Sequence, residues 1–235
     1  MAPRNTHWTP ALALLLAAIA GFTDVVGYLT LHQVFTAHMT GNTSKLGIAI
    51  GTANVWAALP LAAAVALFAV GVGVGTLACD LGRRWQALLG QAILMAAFTG
   101  VAASAVRHGT VADHTLEGFY VLLALATVAL GVQTAALTHI DATTVRTSYI
   151  SGILTQLAQT GVRRLAGRRS ENARPTLWTA LCMCYLAGAT LAGRGMESAG
   201  TWCLAAPVGL LVWAAAVDRR RARRGARAQA GRRGS

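Results

Sequence analysis

The chain has 235 residues, of which 55 % are hydrophobic and only 12 % charged, and its mean hydropathy is +0.52. A soluble domain carries nearer to about 25 % charged residues, so an ordinary soluble fold is excluded and a helical membrane protein is expected. The formal net charge of +12 is gathered at a few places along the chain.

A helix needs about 20 apolar residues to cross roughly 30 Å of hydrocarbon, and the first run that qualifies covers residues 10–31. Asp24 is its one formal charge. A signal peptide is the competing reading, since Arg4 precedes "ALALLLAAIAG", but the apolar run continues past a plausible cleavage point and more spans follow. An ionised carboxylate inside a span costs roughly 2.5–3.5 kcal/mol on insertion scales, so Asp24 should face protein or water. It reads either as a proton or cation site or as a structural carboxylate bonded to backbone, to Asn42, to Gln133 or to a hydroxyl.

The next segment, near 36–53, holds "HMTGNTSKLG", where His38, Thr40, Asn42, Thr43, Ser44 and the chain's only lysine, Lys45, stand close together. Backbone that breaks or re-enters at membrane depth needs such partners, and Gly41 permits a close approach or a positive φ there. A helix starting after the glycine would aim free amides at an anion or polar solute. Plain helix packing through small residues is the simpler alternative. Lys45 either neutralises Asp24, attracts an anion or snorkels to the surface, and His38 is suited to a proton relay.

Further spans are expected over 57–79 and 86–106, separated by Arg83 and Arg84. The segment 107–117 has one arginine against Asp113 and Glu117, and the span 118–140 contains Gln133. A second polar segment, near 146–163, offers Tyr149, Ser151, Gly152, Thr155 and Gln156. The loop 162–175 has five arginines and one glutamate; spans follow over 176–194 and 199–217, and the tail after Val217 carries eight arginines against one aspartate.

Arginine is retained on the cytoplasmic side. Six crossings with both termini cytoplasmic place Arg83, Arg84, the 162–175 loop and the tail inside, whereas eight crossings would put Arg83 and Arg84 outside. The expected fold is therefore all-α and integral to the membrane, with about six transmembrane helices plus two short broken or re-entrant elements. Residues 1–217 form one membrane domain, and 218–235 should be a disordered, arginine-rich cytoplasmic tail. That tail should touch anionic headgroups and not a specific nucleic acid.

A shift of 111 residues lays "HMTGNTSKL" on "YISGILTQL", with Gly41 on Gly152. "GFTDVVGYLTL" from Gly21 lies over "GVQTAALTHI" from Gly131, and "GTLA" (75–78) over "ATLA" (189–192). Two repeats, about 10–106 and 118–217, are expected. Three crossings in each would make them inverted, as in many secondary transporters; four would leave them parallel. Asp24 and Gln133 would then sit as counterparts near a pseudo-twofold axis.

Together "AGFTDVVGYLTLHQVFTAHMTGNTSKLG" and "ALGVQTAALTHIDATTVRTSYISGILTQLA" resemble the two signatures of the YoaK-like family of bacterial membrane proteins. The resemblance covers roughly residues 10–217 and implies a transporter-like layout in the bacterial inner membrane, with no substrate or reaction to carry over. Lys45 and the long arginine tail lie outside what the resemblance requires.

The functional expectation is a transporter or permease for a small polar solute or ion. The solute would lie between the two broken elements near the bilayer midplane, with Asp24 coupling to protons or cations. The substrate-binding candidates are Asp24, His38, Thr40, Gly41, Asn42, Thr43, Gln133, Tyr149, Ser151, Gly152, Thr155 and Gln156. No serine or threonine is paired with a base, and neither the histidines nor Cys79, Cys182, Cys184 and Cys203 have metal-ligand spacing. No catalytic residue, metal or cofactor is therefore expected. The rival reading is a membrane scaffold or regulatory subunit.

Overall fold

The computed structural model describes residues 10–107, 117–137, 150–168 and 174–233. Among these the chain is entirely helical: α1 (Pro10–Thr30), α2 (Met39–Gly51), α3 (Val55–Asp80), α4 (Arg84–Arg107), α5 (Glu117–Ala136), α6 (Ile150–Leu165), α7 (Pro175–Ala199), a 3₁₀ turn (Gly200–Leu204) and α8 (Ala205–Arg233). Helices α1, α3, α4 and α5, and the stretch Pro175–Arg223 that holds α7 and the start of α8, are long and apolar enough to cross a membrane. This is a helical membrane protein.

Local chemistry sets the boundaries. Asn54 caps α3 by accepting from the Ala57 amide at 3.1 Å, and Pro175 occupies the first turn of α7, where its missing N–H costs no helical bond. Gly200 has φ +56° and ψ −145°, a conformation only glycine adopts readily. It divides α7 from α8, which would otherwise read as one continuous apolar rod.

The packing partners are α1 with α7, α3 with α5, and α4 with α5 and α8. Side chains gather in two clusters at opposite ends of the bundle. One joins Leu12 and Leu16 of α1 to Leu88, Leu137, Ile153, Trp178 and Leu211. The other joins Val26 and Leu31 to Leu61, Phe98, Phe119, Leu122 and Leu204.

The two short helices separate by cluster. Leu46 of α2 packs on the second and Ile153 and Leu157 of α6 on the first, with α2 lying along α3 and α6 along α7. The two short helices thus pack on different clusters. The 13 residues of α2 span about 20 Å at 1.5 Å per residue, short of a full hydrocarbon thickness.

Helix α8 continues through Arg233, in keeping with the high helix propensity of alanine and arginine. At the start of that extension Arg84 Nη2 donates to Asp218 Oδ1 at 2.6 Å, and the Arg219 guanidinium lies 4.9 Å from the Trp85 ring centre. The first turn of α4 and the arginine-rich part of α8 therefore share one end of the bundle.

Candidate functional site

Asp24 is 3 % exposed and is met by donors on both oxygens. Oδ1 accepts from the Thr36 amide at 3.0 Å, the Thr36 hydroxyl at 2.8 Å and the Ala37 amide at 2.7 Å. Oδ2 accepts from Nδ1 of His38 at 2.5 Å and from the Tyr185 hydroxyl at 3.0 Å. Five donors around one carboxylate replace the water it has lost, which is the condition for keeping a buried charge.

The sequence around Asp24 makes this approach possible. A Cβ on Gly21 would overlap the Tyr185 carbonyl, and one on Gly27 would overlap the Thr36 side chain. Gly21 and Gly27 lie three residues before and after Asp24, so α7 and the returning loop both reach the carboxylate over glycine.

Asp24 stands six residues before the end of α1, about 9 Å inside it. The chain leaves α1 at Thr30, folds back to bring Thr36 and Ala37 onto the carboxylate, and starts α2 at that depth. Asn42, fully buried, closes the loop from the other side. Its Oδ1 accepts from the Phe35 amide at 3.0 Å and its Nδ2 donates to the Phe35 carbonyl at 2.7 Å. Farther along α2, Lys45 Nζ donates to the Gln33 carbonyl at 2.5 Å, so α2 runs back toward the end at which α1 finished.

His38 joins this site to its surroundings. Its side chain is 36 % exposed, and the ring packs 5.4 Å from Phe35 and edge-on, 5.9 Å, to Tyr185. With Nδ1 donating to the carboxylate, Nε2 remains to take up or release a proton.

The other candidates are distributed differently. Thr43 Oγ1 donates to the Met39 carbonyl at 2.8 Å, Ser44 Oγ donates to the Thr40 carbonyl at 3.0 Å, and Thr40 is exposed. Thr43 and Ser44 bond within their own helix, and Asn42 and Lys45 are the members of the group that bond the returning loop's backbone. Gly41 is placed by a tight approach to the Phe35 ring, and neither it nor Gly152 has a positive φ. Ser151, Thr155 and Gln156 are exposed on α6, with Thr155 Oγ1 bonded to the Ser151 carbonyl at 2.9 Å. Tyr149 lies outside the described residues.

Gln133 belongs to a second buried network. It donates to the Leu16 carbonyl at 2.7 Å and accepts from Gln91 Nε2. Leu16 lies eight residues before Asp24 on α1, about 12 Å along the axis, so Gln133 is not brought to Asp24. Thr36, Tyr185 and Gln91 escaped the reading of the sequence. Thr36 stood two residues before His38 in "FTAH", and Tyr185 was the one hydroxyl in "CMCYLAG".

Comparison with known proteins agrees with the membrane fold. A family profile described as "Protein of unknown function (DUF1275)" matches residues 12–217. The relative described as "UPF0700 transmembrane protein YoaK" of Bacillus subtilis (strain 168) is 30 % identical over 193 residues, which cover 80 % of this chain and 82 % of the relative. No solved structure matches the chain.

Proposed function

The chain belongs to the DUF1275 family, the YoaK-like membrane proteins, and from that premise we propose that it is an inner-membrane transporter or permease for a small polar solute or ion, driven or gated by protons at Asp24 and His38. The observation that carries this reading is the carboxylate five donors hold, reached through a half-exposed histidine and pinning the start of a helix too short to cross the bilayer.

The chemistry follows from acceptor capacity. An ionised carboxylate presents about four lone-pair sites; protonation converts one of its oxygens to a donor. When His38 passes its Nδ1 proton to Oδ2, that ring nitrogen becomes the acceptor of the new O–H, and the Thr36 and Ala37 amides are left on a neutral carbonyl oxygen in place of a charged one, so the loop holding α2 is loosened. A proton passing through His38 therefore biases a two-position element, which is the requirement for coupling proton uptake to access.

The glycine contacts favour an inverted repeat, which would support the same reading. A Cβ on Gly21 would meet Tyr185, and one on Gly131 would meet Gly71; under offsets of 110 and 114 residues these are corresponding pairs. Gly188 closes on Ala18 and Gly71 on Val128, the counterpart of Ala18, so the same place on α1 and α5 meets a glycine of the partner helix, one turn apart in register. The pairing of α1 with α7 thus repeats in the pairing of α5 with α3, and the short helices fall at opposite ends, as inversion requires. The bridge from Arg84 to Asp218 puts two arginine-rich segments at one end, which fits six crossings with both termini cytoplasmic.

The test uses purified protein in liposomes loaded with a pH-reporting dye, under a potassium diffusion potential. Small organic acids, amino acids, sugars and inorganic ions are offered singly. A solute-dependent change of internal pH is expected, and Asp24→Asn should abolish it. A wild type indifferent to the whole panel, or an Asp24→Asn protein that behaves as the wild type does, would favour the scaffold reading instead.

A further inference from the structure

A cleft of about 320 Å³ opens at the end of the bundle where α1 finishes, lined among others by His32, Gln33, Lys45, Asn54, Trp56 and Phe119. That volume suits a small ligand. Three observations single it out. First, it carries Lys45, the chain's only lysine, and no carboxylate is among the described residues that line it. The ammonium has three donors, of which the Gln33 carbonyl takes one; the rings of Phe35 and Tyr28, 5.1 and 5.4 Å away, hold it by cation–π attraction without neutralising it.

Second, the wall is divided by polarity. Asn54 commits its Oδ1 to the Ala57 amide and keeps an amide donor, while Trp56, Pro60, Leu61 and Phe119 present apolar surface. Third, the backbone is strained here. His32 (φ 48°), Gln33 (φ 65°) and Ala53 (φ 53°) are the non-glycine residues with positive φ among the described residues. All of them sit in the two turns that flank the cleft. Such strain gathers at ligand clamps and switch regions.

We propose that this cleft binds a small organic carboxylate with an apolar or aromatic body, its anionic group at Lys45 and Asn54 and its body against Trp56 and Phe119. This names the class of solute for the transporter reading and rests on it. The pinned loop that ends at His38 begins at the cleft, in His32 and Gln33, so a bound anion and a proton on the Asp24–His38 pair act on the two ends of one segment.

The probe is p-nitrobenzoate, a carboxylate whose nitro group quenches tryptophan fluorescence, titrated onto full-length protein in phosphatidylcholine nanodiscs. Saturable quenching is expected, and Trp56→Phe should remove it. Lys45→Gln should weaken the apparent affinity by about tenfold or more, the loss of one charge-assisted hydrogen bond, while Lys45→Arg stays within about threefold. The uncharged p-nitrobenzyl alcohol should give no saturable quenching. Equal quenching by the alcohol, full affinity in Lys45→Gln, or a signal that persists in Trp56→Phe would overturn the proposal. So would loss of binding in nanodiscs containing phosphatidylglycerol, which would assign the site to a lipid headgroup. Binding is read without flux: solutes that move protons while p-nitrobenzoate does not bind would leave the transporter reading standing and sink this one, and the converse result would do the reverse.

Discussion

Nδ1 of His38 lies 2.5 Å from Oδ2 of Asp24, fourteen residues away in sequence. That bond, with those from Thr36, Ala37 and Tyr185, turns a short polar loop into a plug between α1 and α7. The charge is tolerated because its donors are present before any solute arrives.

Asp24→Ala removes the acceptor and leaves the Thr36 and Ala37 amides buried without a partner. The expected cost is about 3–5 kcal/mol, as for the loss of one member of a buried ionic pair. Asp24→Asn keeps one acceptor oxygen and should cost less, about 1–3 kcal/mol. Thermal unfolding in detergent, followed by cysteine-reactive dye, checks the order of the two variants.

Gly21→Ala sets a methyl group against the Tyr185 carbonyl, and Gly188→Ala sets one against the Ala18 carbonyl. Backbone cannot step aside as a side chain can, so each should lower stability by about 1–3 kcal/mol or more. Gly47→Ala is the control: nothing lies within 4 Å of its Cβ, and replacing a helical glycine should stabilise by up to about 1 kcal/mol. The same unfolding assay separates them.

Arg84 and Asp218 form a two-pronged contact, 2.6 and 3.4 Å, between largely buried side chains. Asp218→Ala should destabilise by about 1–3 kcal/mol, with part of the attraction screened at the bundle's end. A double-mutant cycle with Arg84→Ala measures the coupling; additive losses would show that the two residues act separately.

Thr23 Oγ1 is buried with no hydrogen-bond partner among the described residues. Thr23→Val exchanges the hydroxyl for a methyl of the same shape, so stability should be unchanged or rise by up to about 1 kcal/mol. A clear fall in melting temperature would reveal a partner for the hydroxyl.

Helix extents were legible because apolar length is a local property. The expected run 10–31 is α1 at Pro10–Thr30, the polar segment near 36–53 contains the short helix Met39–Gly51, and the one near 146–163 overlaps Ile150–Leu165. That Asp24 must face protein or water was legible too, since a lone carboxylate in a span demands it. Its partners were not. Tyr185 is 161 residues away, and nothing in "CMCYLAG" marks a hydroxyl that two glycine contacts bring to the carboxylate.

Similar polar composition in the two motifs pointed to a shared place, and the short helices they hold pack on different clusters. Gln133, placed beside Asp24 by alignment, bonds to Leu16 and Gln91 instead, because repeat equivalence fixes correspondence and not contact.

Hydrogen exchange of residues 33–51, compared between wild type and Asp24→Asn in nanodiscs at one pH, tests most directly whether the charge on Asp24 holds the loop and α2 in place. Faster exchange confined to 33–38 and the first turns of α2, with α4 and α5 protected as before, is the predicted result. Unaltered protection of the Thr36 and Ala37 amides, or a loss of protection throughout the bundle, would contradict the account.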